Sequence, residues 1–99
     1  MARTLHLLMS SDPRALADCL ALARAGDQLL LVDRGVDLLL DTSAGALEGR
    51  VGERGLAALE ADVASIGLLE HARGRGLALW SDRQWVDRVL AARHVMSWR

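Results

Sequence analysis

The sequence predicts an α/β fold, a mostly parallel sheet of about five short strands with helices on both faces. Three observations carry that expectation. Short apolar runs alternate with stretches of helical period. The run at residues 28–32 (QLLLV) is continuously apolar after Gln28, as in a parallel strand covered on both sides. Caps and glycines separate the runs, with no repeat, low-complexity segment or linker, so the 99 residues form one domain, 1–99.

The first strand is Thr4 to Met9. Ser10, Ser11 and Asp12 then offer a helix cap, and Pro13 occupies the first helical position, where its missing N–H costs nothing. The first helix is expected from Pro13 to about Ala25, with Gly26 as a left-handed end. At 100° per residue Leu16, Cys19, Leu20, Leu22 and Ala23 share its apolar arc. After the second strand, Asp33-Arg34-Gly35 reads as a tight turn and residues 35–41 (GVDLLLD) as a short helix. Residues 42–54 are glycine-rich, a loop or weak helix.

The third strand is Gly55 to Leu59, weakly signalled. A helix follows over residues 60–69 and a connector over 70–76. Leu77 to Trp80 is the fourth strand. Ser81 and Gln84 make a capping box for a helix to about Ala92, with Trp85, Val89 and Leu90 facing inward. His94 ends that helix, and Val95 to Trp98 is the last strand.

Composition narrows the function. Fifty-two per cent of the residues are apolar, yet the only aromatics are Trp80, Trp85 and Trp98. Leu, Ala and Val must build the core, and the apolar excess predicts a covering partner subunit. Net charge is −1, so no global field draws the chain to nucleic acid. Charge is uneven: residues 1–70 sum to −5 and residues 71–99 to +4. All twelve basic residues are Arg, which excludes lysine chemistry. A single cysteine excludes an internal disulfide and a cysteine-cluster zinc site. The run LHLLM is too short for a signal peptide and Asp12-Pro13 interrupts it. A cytoplasmic protein without metal or cofactor is expected, touching neither membrane nor nucleic acid.

Cys19 is the candidate nucleophile. A thiolate is the attacking group in sulfur transfer, and a persulfide forms on such a thiol. Its place two turns into the first helix, in the middle of the apolar arc, is equally that of a packing residue. His6, His71 and His94 show no ligand spacing and read as structural. Phosphate-binding glycine motifs are absent. Ser10 and Asp33, at strand ends, mark where a doubly wound fold would hold an anion or nucleotide.

Taken together, Leu5-His6, Ser10-Ser11-Asp12, Gly26-Asp27, residues 29–36 (LLLVDRGV), residues 59–68 with Asp62 and Gly67, SDRQWV at 81–86 and HVMSW at 94–98 resemble the TusB/DsrH family in order and spacing. The resemblance covers nearly the whole chain, although no single motif in it is specific. It implies a DsrE-like, flavodoxin-like domain. It also implies a subunit of a heterohexameric sulfur-relay (sulfurtransferase) complex with TusC/DsrF-like and TusD/DsrE-like partners. Such a complex passes persulfide sulfur to a TusE/DsrC-like carrier, for 2-thiolation of the tRNA wobble uridine or for dissimilatory sulfur oxidation. The best-established active cysteine of these complexes lies on the TusD/DsrE-type subunit. The resemblance nevertheless implies a cysteine at the position of Cys19 in DsrH-type members, a persulfide acceptor in one reading and a packing residue in the other. The alternative is a non-catalytic α/β ligand-binding or scaffold subunit in which Cys19 is purely structural. One departure is Ile66, where the family often carries Arg; Arg73 and Arg75 are the nearby substitutes.

Overall fold

The computed structural model describes residues 3–40 and 46–99. Five strands form one sheet: β1 (Thr4–Leu8), β2 (Gln28–Leu31), β3 (Gly55–Leu59), β4 (Ala78–Trp80) and β5 (His94–Trp98). Their order is 4-3-2-1-5 and every neighbouring pair is parallel. The expected α/β class, with a parallel sheet and helices on both faces, is the one found. It is a doubly wound relative of the flavodoxin arrangement 2-1-3-4-5, with the reversal of strand order beside β1.

Two apolar layers flank the sheet. On one face Leu8, Leu29, Leu31 and Ala58 pack with Leu16 and Cys19 of α1 (Pro13–Leu22) and Val51 of α2 (Ala46–Val51). Val63 of α3 (Glu60–Ser65) and Ala72 of α4 (Leu69–Gly74) join the same layer. On the other face Leu5, Leu7, Leu30, Val32, Ala57, Leu59 and Trp80 pack with Trp85 and Val89 of α5 (Asp82–Ala91). The continuous apolar run of β2 is thus explained, since Leu29 and Leu31 point to one layer and Leu30 to the other.

The caps read from sequence form. Asp12 accepts from the Arg14 N–H at 2.9 Å with Pro13 next to it. Ser81 accepts from the Gln84 N–H and the Gln84 side chain accepts from the Ser81 N–H. Between β2 and α2 the chain forms a 3-10 helix, Asp33–Leu40, which absorbs the expected turn at Asp33 and most of the expected helix at 35–41. Gly35 in it lies against β1 so closely that a Cβ there would overlap the Leu8 carbonyl oxygen. Residues 41–45, the last position of the expected short helix and the start of the expected weak segment, lie outside the described residues.

Four local expectations are corrected. Helix α1 ends at Leu22 rather than Ala25, because its last carbonyls and the next N–H find other partners. Arg54 donates to the Leu20 and Ala23 carbonyls, and the Arg24 N–H turns to Asp27. Leu22 sits at the margin of the apolar arc and is 57% exposed. The single helix expected over 60–69 is two helices. Gly67, at φ 74°, closes α3 through bonds from Gly67 N–H to Ala64 and from Leu68 N–H to Val63, and α4 then occupies the expected connector. Leu90 faces outward, 79% exposed, because the inward stripe of α5 runs through Trp85, Val89 and on to Ala92.

Candidate functional site

The chain steps from β1 through β2 and β3 to β4, then returns across the sheet to place β5 on the far side of β1. The carboxyl ends of β1 and β5 therefore form the topological switch point, where open α/β sheets hold their ligands. Here the Met9 N–H donates to the Trp98 carbonyl at 2.9 Å. The indole of Trp98 stacks beside the His6 ring, centroids 6.1 Å apart at 27°.

Beneath it lies a buried polar network. Trp98 Nε1–H donates to His6 Nδ1 at 3.0 Å. An indole N–H only donates, so Nδ1 must be an acceptor and the imidazole proton sits on Nε2. His6 Nε2–H then donates to Asp27 Oδ2 at 3.1 Å. Asp27 also accepts from the Thr4 N–H and the Arg24 N–H, at 3.1 and 3.0 Å. His6 is 1% exposed and Asp27 9%. Burial pushes the Asp27 carboxyl upward, but the bonds from Arg24, Thr4 and His6 outweigh it and hold the group below the usual carboxylate range. The network ties the turn after α1, the first strand and the last strand together across 92 positions of sequence. It is a structural fastening, because each polar group in it is already matched.

Cys19 lies next to this network, fully buried in the core layer under α1. Burial pushes its thiol up to about 11; the nearby Arg54 guanidinium opposes the rise and the Asp27 carboxylate adds to it. At neutral pH such a thiol is thiolate in only about one molecule in ten thousand. A persulfide donor reaches this sulfur only if α1 moves off the sheet.

The strand-end residues are engaged locally. The Asp33 N–H donates to Asp62 Oδ2 at 2.6 Å, with Asp33 itself at φ 51°. Ser10 Oγ accepts from the Asp12 N–H at 3.0 Å. A cavity of about 230 Å³ nearby is lined by Ser11, Pro13, Leu16, Asp37, Leu38, Leu47 and Arg50. It sets one acid beside one Arg and so has no charge bias toward an anion. Among the described residues no group of His, Cys, Asp and Glu has the arrangement of a metal site. No described helix is long and apolar enough to cross a membrane.

Of the substitutes for the arginine absent at Ile66, Arg75 is committed inward. Its Nη2 lies 2.6 Å from Glu48 Oε1 and its Nη1 3.3 Å from His71 Nε2. Arg73 makes only an exposed pair with Glu70 at 3.2 Å and stays accessible. Ile66 is half-buried against the α1-side core.

Sequence reading missed the central part played by Asp27 and Arg54. Asp27 carried a usable signal: a carboxylate opening a strand buried on both faces must find donors. Compared with protein-family models, the chain matches none, and no curated protein is significantly similar to it.

Proposed function

We propose that this chain is an accessory, non-catalytic subunit of a sulfur-relay complex of the TusB/DsrH kind. In it Cys19 packs the core, and relayed sulfur travels on a cysteine of a TusD/DsrE-like partner to a TusE/DsrC-like carrier. A TusC/DsrF-like chain completes the assembly, and the carrier determines whether sulfur reaches the tRNA wobble uridine or a sulfur-oxidation route. One observation supports the reading most. His6, Asp27 and Trp98 belong to three separate motifs of the resemblance, and they meet in one hydrogen-bonded network. Asp33 and Asp62, from two further motifs, also meet. Motifs that fasten one fold in this way are the kind that related chains share.

The test is reconstitution with TusC/DsrF-like and TusD/DsrE-like subunits, then loading with a persulfide donor and mapping of added sulfur by mass spectrometry. The expected result is co-purification of all three chains, no extra sulfur on the Cys19 peptide, and undiminished relay by Cys19→Ala. Failure to co-purify defeats the subunit reading. Sulfur on Cys19 together with loss of relay in Cys19→Ala defeats the accessory role.

A further inference from the structure

β5 is an edge strand, pairing among the described residues with β1 alone. An edge presents free main-chain N–H and C=O groups that template another strand, so proteins shorten, bend or interrupt such edges. The opposite edge, β4, is only 3 residues long. β5 is 5 residues long, keeps register with β1 throughout and contains no proline. Its outward groups can be assigned. The Trp98 carbonyl accepts from the N–H of Met9, the residue just after β1, so the main chain of Trp98 faces β1. Alternation turns His94 and Met96 the same way and leaves the N–H and C=O groups of Val95 and Ser97 directed at the open edge. The side chains of Val95 and Met96 are 41% and 39% exposed.

Charge favours a different chain over a second copy in the register that overlaps the two strands fully. Arg93 and Arg99 bracket the strand, both exposed and neither in an ion pair among the described residues. They stand about 20 Å apart along an extended chain. Two copies paired antiparallel about Met96 would match Val95 with Ser97 in hydrogen-bonded positions. The same register sets Arg93 against Arg99 at both ends, and like charges directly opposite destabilise a pair. We propose that β5 docks an extended strand of a different chain, apolar in its middle, with carboxylates about six residues apart that meet Arg93 and Arg99. Either strand direction satisfies both charges. The proposal rests on the subunit reading for the existence of a different partner chain, and it names the surface that partner uses.

The probe is a synthetic peptide, Asp-Val-Thr-Val-Thr-Val-Asp, with a Lys-ended counterpart as control. Binding is read by fluorescence anisotropy, and the contact by hydrogen exchange at the Val95 and Ser97 amides. Ser97→Pro deletes an outward N–H and is tolerated at an edge, whereas Met96→Pro deletes one aimed at β1. The expected result is slower exchange at Val95 and Ser97 with the Asp-ended peptide. Affinity should fall about tenfold for the Lys-ended peptide and about tenfold for Ser97→Pro. Arg93→Glu combined with Arg99→Glu should reverse the peptide preference, which keeps the test decisive if the proline variant folds poorly. No binding at about 1 mM peptide, binding indifferent to Ser97→Pro and to charge reversal, or a homodimer joined through β5 would overturn the proposal. If Ser97→Pro still joins the sulfur-relay subunits, the edge contact fails while the subunit reading stands. If the wild-type chain does not join them, that reading itself fails.

Discussion

Replacing Asp27 with Asn tests the buried fastening directly. The carboxylate takes three donors: Thr4 N–H on Oδ1, and His6 Nε2–H and Arg24 N–H on Oδ2. An amide has one oxygen. Whichever way Asn is turned, its NH2 group faces at least one N–H, and the bonds that survive lose their charge. Hydrogen bonds to charged groups contribute about 1.5–3 kcal/mol net, and an orphaned buried donor costs about 1–3 kcal/mol. A loss of about 2–4 kcal/mol follows for Asp27→Asn at pH 7. With a urea slope of about 1–3 kcal/mol/M, the midpoint falls by about 0.7–4 M. The acid arm has a definite sign. Asp27 is held below its ordinary pKa in the folded chain, so its ionised form adds stability above about pH 4. That contribution is lost as pH falls through the folded value. Urea titrations from pH 7 to pH 3 should therefore show wild type and Asp27→Asn converging in acid. A gap below about 0.5 kcal/mol at pH 7, or one that stays constant down to pH 3, would refute the network as described.

Cys19 should react slowly with a thiol reagent in the native chain. Burial pushes its pKa up to about 11 from an ordinary 9.0, which lowers the thiolate about a hundredfold before the steric block of burial is added. Equal labelling rates in native buffer and in urea would contradict the buried placement. Gly35→Ala should destabilise by about 2–4 kcal/mol, because its Cβ meets the Leu8 carbonyl rather than a side chain that can yield; a neutral effect on thermal unfolding would show that the 3-10 helix does not lie against β1. Leu90→Gln and Leu39→Ala form a pair of opposite burial. The first, 79% exposed, should shift stability by less than about 0.5 kcal/mol, and the second, fully buried, should cost about 2–5 kcal/mol. Urea midpoints that reverse this ranking would mean that the inward stripe of α5 is misassigned.

The strands, the two strong caps and the core lining of β2 were legible because each is a local signal. Asp12-Pro13 and Ser81 with Gln84 carry their partners within three residues. What was illegible depended on a distant partner in one case and on weak local signals in the others. The end of α1 is set by Arg54, more than thirty positions on, and by Asp27, so the helical period gave no hint of the stop at Leu22. The break at Gly67 and the renewed helix at Leu69 turn on one left-handed residue followed by buried Ala72, too few apolar positions to show a period. Leu90 lies one 100° step from Val89, which separates the buried stripe of α5 from its exposed margin.

The same geometry separates what fastens this fold from what remains available for function. His6, Asp27 and Trp98 satisfy one another, Asp33 is bound by Asp62, and Arg75 by Glu48. Cys19, the single cysteine, is sealed between α1 and the sheet with a raised pKa. Several residues that carry the resemblance, His6, Asp27, Trp98 and Asp62, are thus engaged in the architecture. What remains unspent is the open edge of β5 and the outward side of α5, where Val86, Leu90, Val95 and Met96 are exposed. These belong to the basic C-terminal third, whereas the fastened acids lie in the acidic part before it. Leu22 of α1 and Leu40 at the end of the 3-10 helix are exposed as well, so the uncovered apolar surface is not confined to that side.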